Sequence, residues 1–347
     1  MANDLTRQLG IRHPIVLAPL GGESSSAALV AAVSNSGGLG ILGAAYMTPA
    51  RIGEVLAEIR SLTDQPFGVN LFCPQVWKRD AAREAAFIEQ LARYHAELGM
   101  PAPQVPAQFE EDFEAQLQVV LKDAPAVFSF TFGDLGRERI AALQSRGTKV
   151  WGTATQVREA VHLAALDVDG IMAQGAEAGA HRGTFMGSRD EGLVGTIALV
   201  PQVVDAVKVP VIAAGGIADA RGVAAVQALG ASAAAAGTVF LLADECPISS
   251  AYREALQNGQ DHETVMTRAF SGRWARGLEN RFMREYASAD LPDFPIPNAL
   301  TRPLRQAAGK AGRPEFLSLW AGQAVALARR EGAAAIVQRL AQGWTAP

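Results

Sequence analysis

The sequence predicts an α/β protein of the (β/α)8 (TIM) barrel class with a second, mostly helical C-terminal segment capping it. Three observations support this. Eight short apolar runs end in small residues, helix-spaced segments alternate with them, and 347 residues at 49% hydrophobic content are enough for a sizeable core. The runs hold β-branched or aromatic residues with little polar alternation, the pattern of strands buried on both faces under covering helices. Strand–helix alternation repeated eight times implies a closed parallel barrel.

In order, the runs are "PIVLAPL" (14–20), "LGILGAA" (39–45), "FGVNLF" (67–72), "AVFSFTF" (126–132), "KVWGTA" (149–154), "GIMAQG" (170–175), "PVIAAGG" (210–216) and "SAAAAGTVF" (232–240). After the first, "SSAALVAAVSNSGG" reads as a helix begun by serine and stopped by Gly37 and Gly38. After the second, "TPARIGEVLAEIRSLTDQP" places Pro49 at a helix start. The connection 74–125 is long, with a charged helix at about 78–98, the Pro-rich "MPAPQVP", and a second helix at about 107–121. Residues 246–310 contain no further β/α unit and read as a helical lid over the barrel mouth, leaving 1–245 with 311–347 as the barrel. The stretch "PEFLSLWAGQAVALARR" reads as a closing helix packed back on it.

A net charge of −4 argues against a nucleic-acid surface, which needs clustered Lys and Arg. The alanine-rich runs at 27–33 and 224–236 are too short and too interrupted for a membrane span, and the N-terminus lacks the pattern of a secretory signal. Cys73 and Cys246 form neither a disulfide framework nor a metal-ligand spacing, so a soluble cytoplasmic protein acting on small molecules is expected, with no metal. The sequence sets no oligomeric state.

In such a barrel the active site lies at the C-terminal ends of the strands. After the seventh run, Gly215 and Gly216 of "AAGGIADARG", with Ala235, Ala236, Gly237 and Thr238 of "AAGTVF" at the eighth, form a phosphate cup: glycines admit close backbone approach, and loops seven and eight are the usual phosphate site of this fold. Asn70 and Gln174 end the third and sixth runs, and their side-chain amides match the carbonyls and ring nitrogens of an isoalloxazine. Together these suggest flavin mononucleotide (FMN). His181, in "AQGAEAGAHRG" over the same mouth, is the candidate acid–base group, because imidazole ordinarily titrates near pH 6.5. His13, His95, His162 and His262 read as structural. Glu177 reads as a helix-start or loop-ordering carboxylate, and Cys73 has no readable partner base.

On these motifs the chain resembles the nitronate monooxygenases. The stretches carrying the resemblance are "HPIVLAPLGGESSSAALVAAVSNSGGLGILGA", "QPFGVNLF", "QGAEAGAHRGTF", "PVIAAGGIADARG" and "GTVFLLADEC". "TRAFSGRWARGLENRF", "FPIPNALTRPLR" and "LWAGQ" resemble the class I branch in particular. The resemblance implies FMN contacts from Asn70, Gln174, Gly179, Gly216, Gly237 and Thr238, and a catalytic role for His181. Three residues depart from the family pattern: Ala180 stands where glycine is usual, Ala235 where a polar residue is common, and Trp274 where proline is usual.

The implied reaction oxidises an alkyl nitronate with O2 by one-electron transfer to FMN, giving a carbonyl compound and nitrite, with propionate 3-nitronate the typical substrate. Two alternatives remain open at this point. One is an FMN-dependent enoyl-acyl-carrier-protein reductase using NADH, and the other a phosphate-ligand-binding barrel without redox chemistry.

Overall fold

A computed structural model describes residues 3–345. All eight predicted runs are strands of one parallel sheet: β1 (Ile15–Leu17), β2 (Gly40–Gly43), β3 (Phe67–Phe72), β4 (Val127–Thr131), β5 (Lys149–Ala154), β6 (Gly170–Gln174), then, past a two-residue β7 (Ala180–His181), β8 (Val211–Ala214) and β9 (Ala233–Ala236). The sheet closes between β1 and β2, where Leu17 N–H donates to Leu39 O at 2.9 Å and Leu39 N–H to Ile15 O at 2.9 Å.

Each strand sends alternate residues to two different cores. Val16, Ile41, Val127, Trp151, Met172, Ile212, Ala233 and Ala235 fill the barrel interior, which the first helix (Asp4–Leu9) stoppers from the opposite end with Leu5 and Leu9. Ile15, Leu17, Val69, Leu71, Phe128, Phe130, Val150 and Ile171 face the surrounding helices. The layer nearest the mouth ends in small side chains, Ala18, Ala214 and Ala235, so the core stops short and a cavity begins.

Local signals hold where they are short-range. Ser26 caps the helix Ala27–Asn35, and Thr48 with Pro49 starts the helix Pro49–Leu62. The helices in the long connection are Ala81–Glu97 and Phe113–Asp123. The second begins later than its apolar spacing implied because Asp112 supplies the N-cap, accepting from Ala115 N–H at 3.1 Å.

The capping segment holds more than helices, and one expected helix is absent. Residues 246–310 carry helices at Ser250–Asn258, Arg281–Glu285 and Ile296–Ala311, but also two strands, β10 (Thr264–Thr267) and β11 (Ala275–Leu278), which pair antiparallel with each other. β11 then pairs with β7, the strand that contains His181. The stretch 314–330 is not a helix. It has single 3-10 turns at Pro314–Phe316 and Val325–Leu327, and between them it lies along β11. Leu278 N–H donates to Leu319 O at 2.8 Å, and Gly277 bridges Trp320. Long-range hydrogen bonds take the backbone groups that a helix would use. The closing helix is Ala333–Ala341.

Candidate active site

One cavity of about 420 Å³ opens at the C-terminal ends of the strands, within the size range of small-molecule sites. Asn70, Gln174, Gly179, His181, Gly215, Gly216, Ala235, Ala236, Gly237 and Thr238 all line it, so residues 168 positions apart in the chain meet on one surface. Tyr46, Tyr252, Asn298, Arg302, Arg305 and Trp320 line it too, and the sequence reading singled out none of them.

The wall formed by β8, β9 and their loops offers little but backbone. Gly215 and Gly216 have φ of 116° and 71°, a conformation strained for any side chain. Among the described residues, the amides of Gly216, Gly237 and Thr238 donate to no backbone or side-chain acceptor. These N–H groups border the cavity beside an alanine floor, a cradle suited to an anionic oxygen cluster joined to a flat apolar body. The Thr238 hydroxyl accepts from Gly322 N–H at 3.0 Å, which draws the 317–324 segment across the edge of this wall.

The opposite wall presents amides and hydroxyls. Asn70, 2% exposed, is held by the hydroxyls of this wall, with Nδ2 donating to Ser129 Oγ at 2.9 Å. Gln174 spans its own loop: Nε2 donates to His181 O at 3.0 Å, and Oε1 accepts from Gly183 N–H at 2.8 Å.

The loop carrying His181 is held from several sides. Arg182, 3% exposed, donates to Gly175 O at 2.6 Å, Gln174 O at 2.8 Å and Gly192 O at 2.9 Å, an anchor invisible in the sequence. Glu177 is a helix-start carboxylate, as expected, accepting from Thr196 N–H and Thr196 Oγ1 at 2.9 Å each. Gly179 leaves no space for a methyl: a Cβ there would lie 2.6 Å from the Ala321 carbonyl carbon and the Gly322 nitrogen. Ala180 sits at φ 60°, a left-handed conformation that costs an alanine on the order of 1 kcal/mol. Its pairing with Arg276 on β11 holds it there.

Ring contacts surround His181, with Trp320 at 5.7 Å, Phe132 at 5.8 Å, Phe294 at 6.0 Å and Phe72 at 6.2 Å between centroids. Burial, reinforced by the Arg273 and Arg305 charges, pulls its pKa down to about 3, so the imidazole is neutral at physiological pH. The only side-chain hydrogen bond to its ring, among the described residues, runs from Nε2 to Ser271 Oγ at 2.8 Å. Ser271 has a single proton and gives it to Arg273 O at 3.0 Å. Nε2 therefore carries the imidazole hydrogen, and Nδ1 is the basic atom. Arg273 is itself fixed, donating to Gln75 Oε1 at 2.9 Å and Thr184 O at 2.7 Å with its guanidinium 3.8 Å above the Phe132 ring.

This gives Ser271 a testable task. Ser271→Ala removes the acceptor of a nearly buried N–H, and the expected destabilisation is about 1–3 kcal/mol by chemical denaturation. Ser271→Thr keeps the acceptor and is expected to recover most of that loss.

Cys73 is buried beside Asp134, which together push its thiol up to about 12 and remove it as a nucleophile at neutral pH. Among the described residues no group of three or more His, Cys, Asp or Glu is placed to hold a metal ion.

The nitronate monooxygenase family model matches residues 3–343. The chain belongs to this family. A probable nitronate monooxygenase of Staphylococcus aureus (strain Newman) is 40% identical over 341 residues, 97% of this chain and 96% of the relative. A nitroalkane oxidase of Streptomyces ansochromogenes superposes with a TM-score of 0.90 at 40% identity, covering 97% of this chain and 96% of the other. FabK from Thermotoga maritima is more distant, with a TM-score of 0.76 and 29% identity over 98% and 95% of the two chains. As a nitronate monooxygenase family member the protein is an oxidoreductase acting on small molecules, and among the described residues no helix is long and apolar enough to cross a membrane.

Proposed function

We propose that the chain is an FMN-dependent nitronate monooxygenase that oxidises alkyl nitronates of the propionate 3-nitronate type with O2, giving a carbonyl compound and nitrite. The observation that carries this reading is the sharing of one cavity by two unlike walls: a backbone cradle at Gly215–Gly216 and Ala236–Thr238, and a neutral histidine in an aromatic box. Family membership and the likeness to a nitroalkane oxidase support it.

In this reading the amides of Gly216, Gly237 and Thr238 would hold the FMN phosphate, and Ala235 would form part of an apolar floor for the ring. Asn70, Gln174 and Gly179 serve its polar edge. The bound flavin supplies one-electron oxidation. The chain supplies position, exclusion of water and proton control. His181 is neutral before substrate binds, so it accepts a proton at Nδ1 when the substrate arrives as the nitroalkane, and the anionic nitronate formed beside it offsets the charge that burial otherwise disfavours. Segment 317–324 and the lid helix Ile296–Ala311 enclose the site, which strengthens every electrostatic contact inside.

The test is oxygen consumption by the purified holoprotein with propionate 3-nitronate, run beside NADH oxidation with a crotonyl thioester. Nitronate-dependent oxygen uptake with nitrite release is expected. Rapid NADH turnover on the thioester without nitronate oxidation would move the chain to the enoyl reductase reading. A preparation that stays colourless after FMN is added would leave a non-redox phosphate-binding barrel.

A further inference from the structure

The cavity has a second electrostatic feature that the flavin reading does not use. Among its described lining residues there is no Asp or Glu, whereas two arginines, Arg302 and Arg305, project from the helix Ile296–Ala311. Arg305 is tied back to its own helix, donating to Asn298 O at 2.9 Å and Asn298 Oδ1 at 3.0 Å. Arg302 makes no ion pair or hydrogen bond among the described residues. Its one described contact is with an aromatic face, the guanidinium carbon lying 5.8 Å from the Tyr46 ring centroid.

Tyr46 adds a second idle donor. Its hydroxyl is buried and has no hydrogen-bond partner among the described residues. A buried phenol left without an acceptor is unfavourable, so such a group beside a cavity points to an acceptor carried by a ligand. The neighbouring guanidinium specifies the sign of that ligand's charge and favours a planar, two-oxygen group.

Position separates this pair from the cradle. Tyr46 packs edge-on to Phe72 at 5.4 Å, and Phe72 packs edge-on to His181 at 6.2 Å. The anion site therefore stands one aromatic ring away from the proposed proton acceptor, on the lid side of the cavity. Resting on the nitronate reading above, we propose that Arg302 and the Tyr46 hydroxyl are the specificity-determining pair, binding the carboxylate of a short acid whose other end carries the nitronate.

The experiment compares propionate 3-nitronate with ethyl nitronate, which lacks the carboxylate, on wild type, Arg302→Gln, Arg302→Lys and Tyr46→Phe holoproteins. Succinate binding by calorimetry and flavin content are measured on the same samples. The preference for propionate 3-nitronate, as the ratio of kcat/KM values, is expected to fall on the order of 10- to 100-fold in Arg302→Gln, chiefly through KM, with partial recovery in Arg302→Lys. Tyr46→Phe is expected to lower the same ratio by a smaller factor. Succinate affinity should fall in parallel, with flavin content unchanged. An unchanged ratio, or loss of flavin in Arg302→Gln, would overturn the proposal, the latter by assigning Arg302 to the phosphate. If the wild type oxidises neither nitronate, the functional reading fails and succinate decides alone: binding that depends on Arg302 upholds the carboxylate site, and its absence in the wild type removes it.

Discussion

His181→Asn is expected to retain bound flavin while slowing oxidation of a neutral nitroalkane on the order of 10²- to 10⁴-fold, the span associated with loss of a positioned general base. The argument rests on the state of the ring. Burial and the Arg273 and Arg305 charges hold His181 neutral, and Ser271 Oγ takes the Nε2 hydrogen, so one lone pair, on Nδ1, is free to accept a proton. Asparagine fills similar space and keeps hydrogen-bonding capacity, yet it accepts no proton at working pH. A preformed nitronate has already lost that proton, so its turnover should fall much less. Steady-state rates with both substrates from pH 5 to 9, with flavin absorbance on each sample, check this. Wild-type rates for the nitroalkane throughout that range would remove His181 from the proton transfer. The wild type should also lack a rate step near pH 6.5, because a ring whose pKa is pulled to about 3 does not change charge there.

Legibility of this molecule in its sequence follows the range of the forces involved. The eight barrel strands are written in local composition, since a strand buried on both faces must be apolar along its whole length. Their order around the barrel then follows from chirality and short connections. The cradle and the histidine were legible for a similar reason: the fold fixes where strand ends meet, so Gly216, Thr238 and His181 could be placed on one surface without knowing any distance. The β7–β11–β10 sheet was not legible. Two- and four-residue strands carry no usable alternation, and β7 exists only because β11 lies beside it. For the same reason 314–330 looked helical: its apolar spacing is real, but Leu319, Trp320 and Gly322 answer to β11 and Thr238 rather than to one another.

The residues that finish the site were hidden by the same limit. Ser271 sits inside "SGRWARG", 90 residues from the histidine it orients, and a serine between glycine-rich turns gives no sign of its partner. Arg302 lies on an amphipathic helix, where an arginine normally faces solvent. Only the closed structure shows that this face looks into a cavity. Ala180 is the opposite case. It stood out in the sequence as the residue beside the histidine where glycine is usual, and the backbone there does adopt a positive φ. Pairing with Arg276 and the close fit of Gly179 against the 321–322 backbone hold the loop in that conformation.

The same neutral histidine has a consequence for stability in acid. Well above pH 6.5 the imidazole is unprotonated in both the folded and unfolded chain and contributes no pH dependence. As pH falls below 6.5 the unfolded chain takes up a proton that the folded site refuses until about pH 3, so stability is lost through that interval. One group binding one extra proton on unfolding contributes about 1.4 kcal/mol per pH unit. Between pH 6.5 and 5 this amounts to roughly 2 kcal/mol, a large share of the 5–15 kcal/mol typical of a folded domain. His181→Asn should flatten that part of the profile. His13, whose pKa burial also lowers, is unchanged in the variant and drops out of the comparison. Carboxylates enter mainly below this interval. Urea midpoints for wild type and variant at pH 7, 6 and 5, with saturating FMN in both, give the difference directly. Parallel slopes would mean that the folded site takes the proton after all; the box of Phe72, Phe132, Phe294 and Trp320 would then admit an imidazolium, and His181 could meet an anionic nitronate as a cation rather than as a base.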